Sequence, residues 1–300
     1  MKKSEIKKKY VFLGDEDSIN IEIIVKSFQY LKNKVKYLLI CNKKVIINNS
    51  KIKVNEIYDP ISFKKYRKNE LNIFNVDDVS NKKYLNLLNQ INIANNLANL
   101  TKFDLITLPI NKTLFKENIE FTGMTEYLGK INKKSTIMMM HGEKFSVIPF
   151  TTHINIRFIH KFIKSNKMKQ FLKNLFVNLD NSLYGLNFND IRFLCYNPHC
   201  GENGTLGNED LIIKRTIKNF KKIKGPYPAD SSFDKIKYKT LFISTYHDQV
   251  LTPFKILNKK SMNFTLGLKY RRLSPAHGTA KDIKNKNLAD NTSYLACQLF

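Results

Sequence analysis

Short apolar segments with the composition of buried strands alternate along this chain with longer segments that have helical spacing. The predicted strands are Tyr10–Leu13, Tyr37–Cys41, Asp104–Pro109, Thr136–Met140, Phe145–Ile148, Ile191–Tyr196 and Leu241–Tyr246. The predicted helices are one that Asp17 or Ser18 caps and that runs through Ile24 and Phe28, then Leu85–Leu100, Phe158–Phe176 and Glu209–Phe220. A Lys/Asn-rich loop region is predicted over residues 48–70. Strands that alternate with helices predict a mainly parallel or mixed sheet covered by helices, so we expect an α/β fold.

Length and composition suit a globular chain. The 300 residues can form one large α/β unit or two modest domains, and a hydrophobic content of 42% is enough for a buried core. No run approaches the ~18 apolar residues of a membrane span. The apolar stretch after the basic start, Tyr10–Leu13, is too short for a secretory signal, so we expect a cytoplasmic protein. The cysteines form no Cys-x-x-Cys pair and are expected to be free thiols; they are Cys41, Cys195, Cys200 and Cys297.

The formal net charge of +26 would by itself suggest a nucleic-acid or acidic-membrane partner. However, the lysines are spread over nearly the whole length, Arg is scarce, and Asn and Ile are in excess as well. Codons rich in A and T produce this bias, whereas a selected phosphate-binding surface clusters Lys and Arg on one element. We therefore expect no nucleic-acid partner and no membrane partner, although the charge can steer anionic substrates to the protein.

Three of the six histidines lie in short, turn-rich stretches of small and polar residues. They are His153, His199 and His247, and the last two closely follow predicted strands. In α/β folds, sites lie at the carboxyl ends of strands. Neutral imidazole is the commonest protein ligand of catalytic divalent metals, and three protein ligands with an open position are the usual catalytic arrangement. One such histidine alone is more often a hydrogen-bonded structural residue, so the three are candidate metal ligands.

Seven motifs occur in an order and at spacings that resemble one family. They are Phe121-Thr122-Gly123-Met124-Thr125-Glu126, Thr151-Thr152-His153, Asn197-Pro198-His199-Cys200-Gly201-Glu202, Gly225-Pro226-Tyr227-Pro228-Ala229-Asp230, Tyr246-His247-Asp248-Gln249, Asn263-Phe264-Thr265-Leu266-Gly267-Leu268 and His277-Gly278-Thr279-Ala280. The family is the 4-hydroxythreonine-4-phosphate dehydrogenases of pyridoxine biosynthesis. The resemblance covers residues 104–300 well and residues 1–103 weakly.

The resemblance implies the two-domain α/β subunit of isocitrate and isopropylmalate dehydrogenases, with mixed sheets covered by helices. Residues 1–120 and about 265–300 would form a first domain that carries the termini and the cofactor loop. Residues of about 121–264 would form a second domain that carries the metal site and the dimer interface. The subunit would work as a homodimer whose metal ligands, His153, His199 and His247, come from both subunits.

The resemblance also implies the reaction. It is the NAD-dependent oxidation of the C3 alcohol of 4-phosphooxy-L-threonine to a 3-oxo acid, which decarboxylates to 3-amino-2-oxopropyl phosphate; NADP is the alternative cofactor. A divalent cation stabilises the developing alkoxide and the later enolate as a Lewis acid. Zinc, magnesium, manganese and cobalt are all compatible with a site of imidazole and substrate oxygen.

The implied substrate has a phosphate and a carboxylate, which call for cations and hydrogen-bond donors. By resemblance the substrate-binding positions are Met124, Thr125, Lys255, Asn263 and Arg272. The assignment of Arg272 could shift to the adjacent Arg271. Asp248 is a catalytic candidate that could orient His247 or transfer a proton, and a simple capping role is an equal alternative.

The chain contains no Gly-x-Gly-x-x-Gly fingerprint, which fits a fold that binds NAD differently. A segment near the C-terminus instead resembles the adenosine-binding loop of the wider dehydrogenase group. Its implied cofactor-binding residues are His277, Gly278, Thr279, Ala280, Asp282 and Asp290. Glycine at position 278 would let the backbone approach the cofactor closely.

The chain departs from the family pattern at several positions. Met124 stands where the family has a substrate-contacting histidine, and methionine cannot donate a charged hydrogen bond. The N-terminal segment Gly14–Glu22 loses two glycines and both prolines of the family pattern, and the cofactor loop has Lys284-Asn285 in place of Ala-Gly. These losses are typical of drift around a retained metal site. Two alternatives stay open: a same-fold metal-dependent dehydrogenase for another acidic hydroxy compound, and a non-catalytic polyanion-binding relative.

Overall fold

The computed structural model describes residues 7–116 and 121–300. The chain forms two compact units: Met1–Asn132 with Leu268–Phe300, and Lys133–Gly267. The sequence-derived boundaries differ from these units chiefly in one helix, Met124–Asn132, which belongs to the first unit. Most of the basic start of the chain lies outside the described residues. No described helix is long and apolar enough to cross a lipid bilayer.

The elements of the described residues alternate along the chain. The strands are β1 (Lys8–Phe12), β2 (Lys36–Cys41), β3 (Val54–Glu56), β4 (Leu71–Asn75), β5 (Asp104–Thr107), β6 (Ile137–Gly142), β7 (Phe145–Thr151), β8 (Asp190–Leu194), β9 (Ile223–Tyr227), β10 (Thr240–Tyr246), β11 (Ser261–Leu266) and β12 (Arg272–Pro275). The α-helices are α1 (Asn20–Leu31), α2 (Lys43–Asn49), α3 (Lys83–Thr101), α4 (Met124–Asn132), α5 (Ser165–Leu179), α6 (Glu209–Ile217), α7 (His247–Leu257) and α8 (Thr292–Leu299). The 3₁₀ segments are Lys112–Phe115, Ile156–Phe162, Ser182–Tyr184, Pro198–Gly204 and Lys281–Ile283.

The first unit contains a sheet of parallel strands in the order β3-β4-β2-β1-β5-β12. Parallel strands need long crossover connections, and α1 and α3 supply two of them. Helix α3 is rich in asparagine, yet it buries Leu87, Ile91, Ala94 and Ala98, which lie on one face at spacings of three and four residues. This face belongs to the same core cluster as the central residues Tyr10 of β1, Leu38 of β2 and Leu105 of β5.

The second unit contains a mixed sheet in the order β11-β6-β7-β10-β8-β9. β11, β6 and β7 pair antiparallel, whereas β10 pairs parallel with β7 and with β8, and β8 pairs parallel with β9. The core is aromatic: Phe145 packs against Phe242 and Phe254 with near-perpendicular rings. The predicted mixed α/β class is therefore confirmed.

Three local predictions were wrong. The N-cap of helix α1 is Ile19, which provides no side-chain bond; Ser18 lies one residue earlier, and its Oγ accepts from the N–H of Asn20, the first residue of the helix. The predicted helix 158–176 is a 3₁₀ segment followed by α5, with an extended residue, Lys164, between them. The predicted loop region 48–70 contains β3, whose polar sequence gives no strand pattern but which pairs with β4.

The first unit's sheet contains a buried lysine that pairs with an aspartate on the neighbouring strand. Lys9 of β1 is 1% exposed and lies opposite Asp104 of β5, with Nζ 3.5 Å from the Asp104 carboxylate and 3.1 Å from the carbonyl oxygen of Cys297. Arg271 also forms a bidentate ion pair with Asp104, with two nitrogen–oxygen distances of 2.7 Å. Burial lowers the pKa of Lys9 from 10.5 to about 8, with Asp104 opposing the shift. The folded state therefore binds this proton less tightly than the unfolded chain does.

This shift predicts a pH-dependent stability. Between about pH 8 and pH 10.5 the unfolded chain binds more protons at Lys9, so the free energy of unfolding rises with pH over that window. Relative to the variant Lys9→Met, the native protein should gain about 3 kcal/mol across it. Urea unfolding of both proteins at several pH values measures the difference, in which other titrations cancel. The exposed Lys44→Met variant is the control, and a Lys9→Met difference as flat with pH as that of the control would contradict the prediction.

Candidate functional site

The three predicted metal ligands lie beyond the carboxyl ends of three neighbouring parallel strands. His153 follows β7 by two residues, His247 follows β10 directly, and His199 follows β8 by five residues. Since these strands pair in the order β7-β10-β8, the three histidines lie on one edge of the second unit's sheet. This is the edge at which open α/β sheets bind ligands.

Two of these histidines are close neighbours. The imidazole ring centroids of His153 and His247 are 5.9 Å apart. An ion about 2.1 Å from a nitrogen of each ring could contact both, so this pair fits one metal. His247 Nδ1 lies 2.8 Å from Asp248 Oδ1, which leaves Nε2 as the nitrogen available to a ligand. Asp248 is 84% exposed, and its contact with His247 supports the orienting role over a buried proton relay.

His199 lies on an unusual backbone. The run His199–Asn203 has φ between +44° and +74° at every residue, although only Gly201 is a glycine. Left-handed conformation costs ordinary residues free energy, so this turn needs support from its surroundings. In residues 7–116 and 121–300, no three His, Cys, Asp or Glu side chains lie close enough together to hold a metal ion. Within the described residues of a single chain, His153 therefore lies beside His247, but His199 does not join them in one cluster.

A buried carboxylate supports the approach to this turn. Asp210 of α6 is 2% exposed and accepts from the backbone N–H groups of Tyr196 (2.7 Å) and Asn197 (2.9 Å). The neighbouring Glu209 accepts from the Asn197 side chain at 3.1 Å. Sequence reasoning missed Asp210; its only signal was an acidic pair at the start of a predicted helix, which ordinarily complements the helix dipole.

Two predicted substrate residues meet inside the first unit. Arg272 NH1 lies 3.4 Å from Thr125 Oγ1, and Arg272 Nε donates to Thr107 Oγ1 at 3.0 Å. Burial lowers the pKa of Arg272 to about 10, so the guanidinium stays protonated at neutral pH. Arg271 is instead engaged by Asp104, which favours Arg272 over its neighbour as the substrate residue. Thr107, at the end of β5, was missed because a threonine that ends a strand has no distinctive pattern.

Met124 begins α4 and packs its side chain against the core cluster of the first unit. Lys255 is exposed on α7, eight residues after His247 and near the end of the helix. Asn263 lies on β11, and its Oδ1 is shielded from solvent without a hydrogen-bond partner in the described part of the chain. No hydrogen bond or ion pair between described residues joins Lys255 or Asn263 to a predicted metal ligand, so these two stay separate predictions.

The predicted cofactor loop is fastened to the turn between β1 and α1. Thr279 O accepts from Ile19 N at 3.2 Å, and Lys281 and Lys284 approach Asp17 to 2.7 and 3.0 Å. Hydrogen bonds from these two lysines hold the pKa of Asp17 far below its ordinary value. The loop therefore has a defined position within the first unit.

The loop itself leaves backbone open. A Cβ added at Gly278 would meet nothing within 4 Å, and Ala280 has a left-handed φ of +43°. Burial lowers the pKa of His277, whose Nε2 is shielded and has no hydrogen-bond partner among the described residues. Asp290 Oδ1 accepts from the N–H of Thr292, the first residue of α8, at 2.8 Å, and this bond lowers the pKa of Asp290. Asp282 is exposed.

A cavity of about 330 Å³ adjoins this loop in the first unit. Its lining combines apolar side chains with amides and lysines; it includes Ser18, Ile21, Val25, Lys26, Asn49, Lys51, Lys284, Asn285 and Asn287. A site of this size and mixed polarity suits part of a dinucleotide. The observations fit a nicotinamide cofactor: an open glycine backbone, an adjoining cavity and a shielded, unpartnered imidazole nitrogen.

One protein family matches this chain over nearly its whole length. The family model "PdxA: Pyridoxal phosphate biosynthetic protein PdxA" matches residues 19–299. The 4-hydroxythreonine-4-phosphate dehydrogenase of Aquifex aeolicus is 32% identical over 96% of this chain and 95% of its own length. That of Sulfurihydrogenibium sp. is 31% identical over 94% of each.

The fold agrees as well. The crystal structure of 4-hydroxythreonine-4-phosphate dehydrogenase from Klebsiella pneumoniae covers 98% of this chain, and 97% of that protein is covered, with a TM-score of 0.81 at 24% identity. Since the family model spans nearly the whole chain and the sequence relatives match end to end, the chain belongs to the PdxA family and is a dehydrogenase of pyridoxal phosphate biosynthesis.

Proposed function

We propose that this enzyme oxidises the C3 alcohol of 4-phosphooxy-L-threonine with NAD, or with NADP in its place. The product is a 3-oxo acid that decarboxylates to 3-amino-2-oxopropyl phosphate. The observation that carries this proposal is the placing of His153, His199 and His247 on one edge of three adjacent parallel strands. Family membership supports the substrate, which the relatives' names specify.

The histidines would hold a divalent metal. His153 and His247 fit one ion by their separation, and His199 would complete the site from a second copy of the chain. The metal, when bound, supplies Lewis-acid stabilisation of negative charge on the substrate oxygen. Asp248 orients His247 through its Nδ1, so that Nε2 faces the ligand. Imidazole donors are compatible with zinc, magnesium, manganese or cobalt.

The same geometry supports a homodimer. One chain lacks a cluster of three ligands within its described residues. Large apolar side chains follow two of the histidines in the sequence and are at least 46% exposed in the single chain; they are Ile156 and Phe158 after His153, and Leu206 after His199. Exposed apolar groups of this kind are typical of a surface that a partner covers. A second copy that covers them would bring its own histidine edge next to the first.

Arg272 and Thr125 would bind an anionic group of the substrate. Arg272 is buried and protonated, so a phosphate or carboxylate would add a counter-charge and two strong hydrogen bonds. Thr125 Oγ1, already beside the guanidinium, would donate a further one. Lys255 of α7 and Asn263 of β11 are proposed as further substrate-binding residues within the second unit. The Oδ1 of Asn263 is shielded and unpartnered within the described residues, so it could accept a hydrogen bond from a donor such as the substrate's amino group.

The nicotinamide cofactor would lie along the loop from His277 to Asp290. The open backbone at Gly278 lets the dinucleotide approach, and Thr279, Ala280 and Asp282 line the same turn. Its adenosine half would enter the adjoining cavity, where Ile21 and Val25 offer an apolar surface and the asparagines offer hydrogen bonds. The ion pairs of Asp17 keep this loop in place before the cofactor arrives.

A direct assay tests the proposal. Purified enzyme, 4-phosphooxy-L-threonine and NAD should form NADH, followed by absorbance, and a chelator should stop the reaction. Turnover with another acidic hydroxy compound but not with this substrate would favour the alternative that Met124 suggests. Because Met124 packs into the core and cannot donate a hydrogen bond, the panel should include the non-phosphorylated substrate.

Substitution of a histidine tests the ligand assignment. His199→Ala or His247→Ala should lose tightly bound metal and reduce turnover at least a hundredfold, because each removes a nitrogen donor. Metal content after gel filtration and kcat measure the two effects. His160→Ala, an exposed histidine of the 3₁₀ segment after β7, is the matched control and should behave as the native enzyme. Full metal retention in both ligand variants would refute the assignment.

Substitution of the buried arginine tests substrate binding. Arg272→Lys keeps the charge but loses the planar donor pair, so kcat/KM for 4-phosphooxy-L-threonine should fall at least tenfold. Arg271→Lys disturbs the ion pair with Asp104 and should lower stability while kcat/KM stays within about twofold. Steady-state kinetics and urea unfolding of both variants separate the two roles. An equal loss of kcat/KM in both would contradict the assignment of Arg272.

A further inference from the structure

We infer that Asp210 is the residue that positions His199 for metal binding. The inference rests on the proposed role of His199 as a metal ligand. The Asp210 carboxylate accepts two hydrogen bonds from the backbone just before the His199–Asn203 turn, from the N–H groups of Tyr196 and Asn197. Each accepted bond is short, 2.7 and 2.9 Å, and the carboxylate is removed from solvent.

The turn that carries His199 needs such an anchor. Five consecutive residues with positive φ form a left-handed turn, and three of them, His199, Cys200 and Glu202, have side chains that disfavour it. A free segment of this sequence would relax to a right-handed or extended backbone, and the imidazole of His199 would then move. Asp210 fixes the chain at the entry to the turn, and Leu206 N donates to Gly201 O at 3.2 Å at its exit. The turn is thus held at both ends.

The contact between the anchor and the turn is close-fitting. A Cβ added at Gly201 would lie 3.3 Å from Asp210 Oδ2 and 3.2 Å from the carbonyl oxygen of Gly207. Gly201 also has a φ of +74°. The middle of the turn therefore packs directly on the carboxylate that holds its entry, and the position of His199 depends on both.

The experiment measures cobalt binding to the full-length enzyme by calorimetry and by the visible absorption of the bound ion. Asp210→Asn replaces one acceptor oxygen by a donor and should weaken cobalt binding at least tenfold, as losses of supporting groups around metal ligands do. At saturating cobalt its absorption spectrum should differ from that of the native enzyme. Asp190→Asn is the matched control, because Asp190 is also buried in this unit but pairs with Arg192 and Lys224. It should lower stability and leave cobalt affinity within about twofold.

Relief of the strain should restore binding. Glu202 is exposed and its side chain forms no hydrogen bond or ion pair with another described residue, while its φ is +44°. Glycine adopts that conformation freely. The double variant Asp210→Asn/Glu202→Gly should therefore recover most of the lost cobalt affinity. Purely structural damage by Asp210→Asn would not be repaired in this way, so a double variant no better than the single one overturns the inference.

Two further variants keep the outcomes distinct. If Asp210→Asn does not fold, Gly201→Ala carries the test, since its Cβ would push the turn away from Asp210; native cobalt affinity in Gly201→Ala would overturn the inference. His199→Ala reports on the proposed function itself. Native affinity in His199→Ala would remove the ligand role, whereas weak binding in His199→Ala with native binding in Asp210→Asn would overturn only the positioning role.

Discussion

Parallel pairing of β7, β10 and β8 is the constraint on which the site depends. Parallel strands end at the same edge, so residues that follow them are brought together whatever lies between them in the sequence. The register sets the depth: Thr151 lies opposite Tyr246, which puts His153 and His247 one residue apart along the strand direction. The 5.9 Å separation of their rings follows from that register. A slip of two residues in the direction that increases this offset would separate them by roughly 7 Å more along the strands.

The departures from the family pattern gain a physical explanation. Asp17, in the altered N-terminal segment, pairs with Lys284 of the altered cofactor loop, so two replaced positions contact each other. Asn20 stands where the family has a glycine, and its buried amide donates to the carbonyl oxygens of Leu13 and Pro109 at 2.9 and 2.8 Å. Side-chain bonds thus hold a turn that glycines would otherwise form. Random drift would not be expected to match charges across two distant segments, so these contacts favour compensation.

The sequence predicted the parts of this protein that depend on local pattern. Apolar strands such as β2 and β10 are visible because every residue in them is buried or nearly so. The mixed α/β class follows from their alternation with helices. β3 was missed because a polar strand at a sheet edge resembles a loop. The 3₁₀ segment before α5 was missed because its residues Phe158 and Phe162 have the spacing of an α-helix.

Of the candidate site, the sequence supplied the side chains that carry chemistry and missed those that hold them. Histidine and arginine stand out by type, whereas Asp210 and Thr107 act through hydrogen bonds to partners 13 and 165 residues away. Such partners are set by the tertiary fold and leave no local pattern. The pairing of Arg271 with Asp104 favours Arg272 as the substrate residue, a choice of one residue that spacing left open.

The cluster around Arg272 and the ion pairs of Asp17 differ in how far they are exposed to solvent and to the many surface lysines. Arg272, Thr125 and Thr107 form a neutral-donor and cation cluster that is shielded from the surface lysines, because burial excludes them. Asp17 is instead half-exposed and forms ion pairs with two of the lysines, Lys281 and Lys284. Salt screens exposed pairs much more than buried ones. Added salt should therefore weaken the ion pairs that hold the proposed cofactor loop before it disturbs Arg272. As ionic strength rises, cofactor binding should then weaken before substrate binding, because the charges of the loop are more exposed.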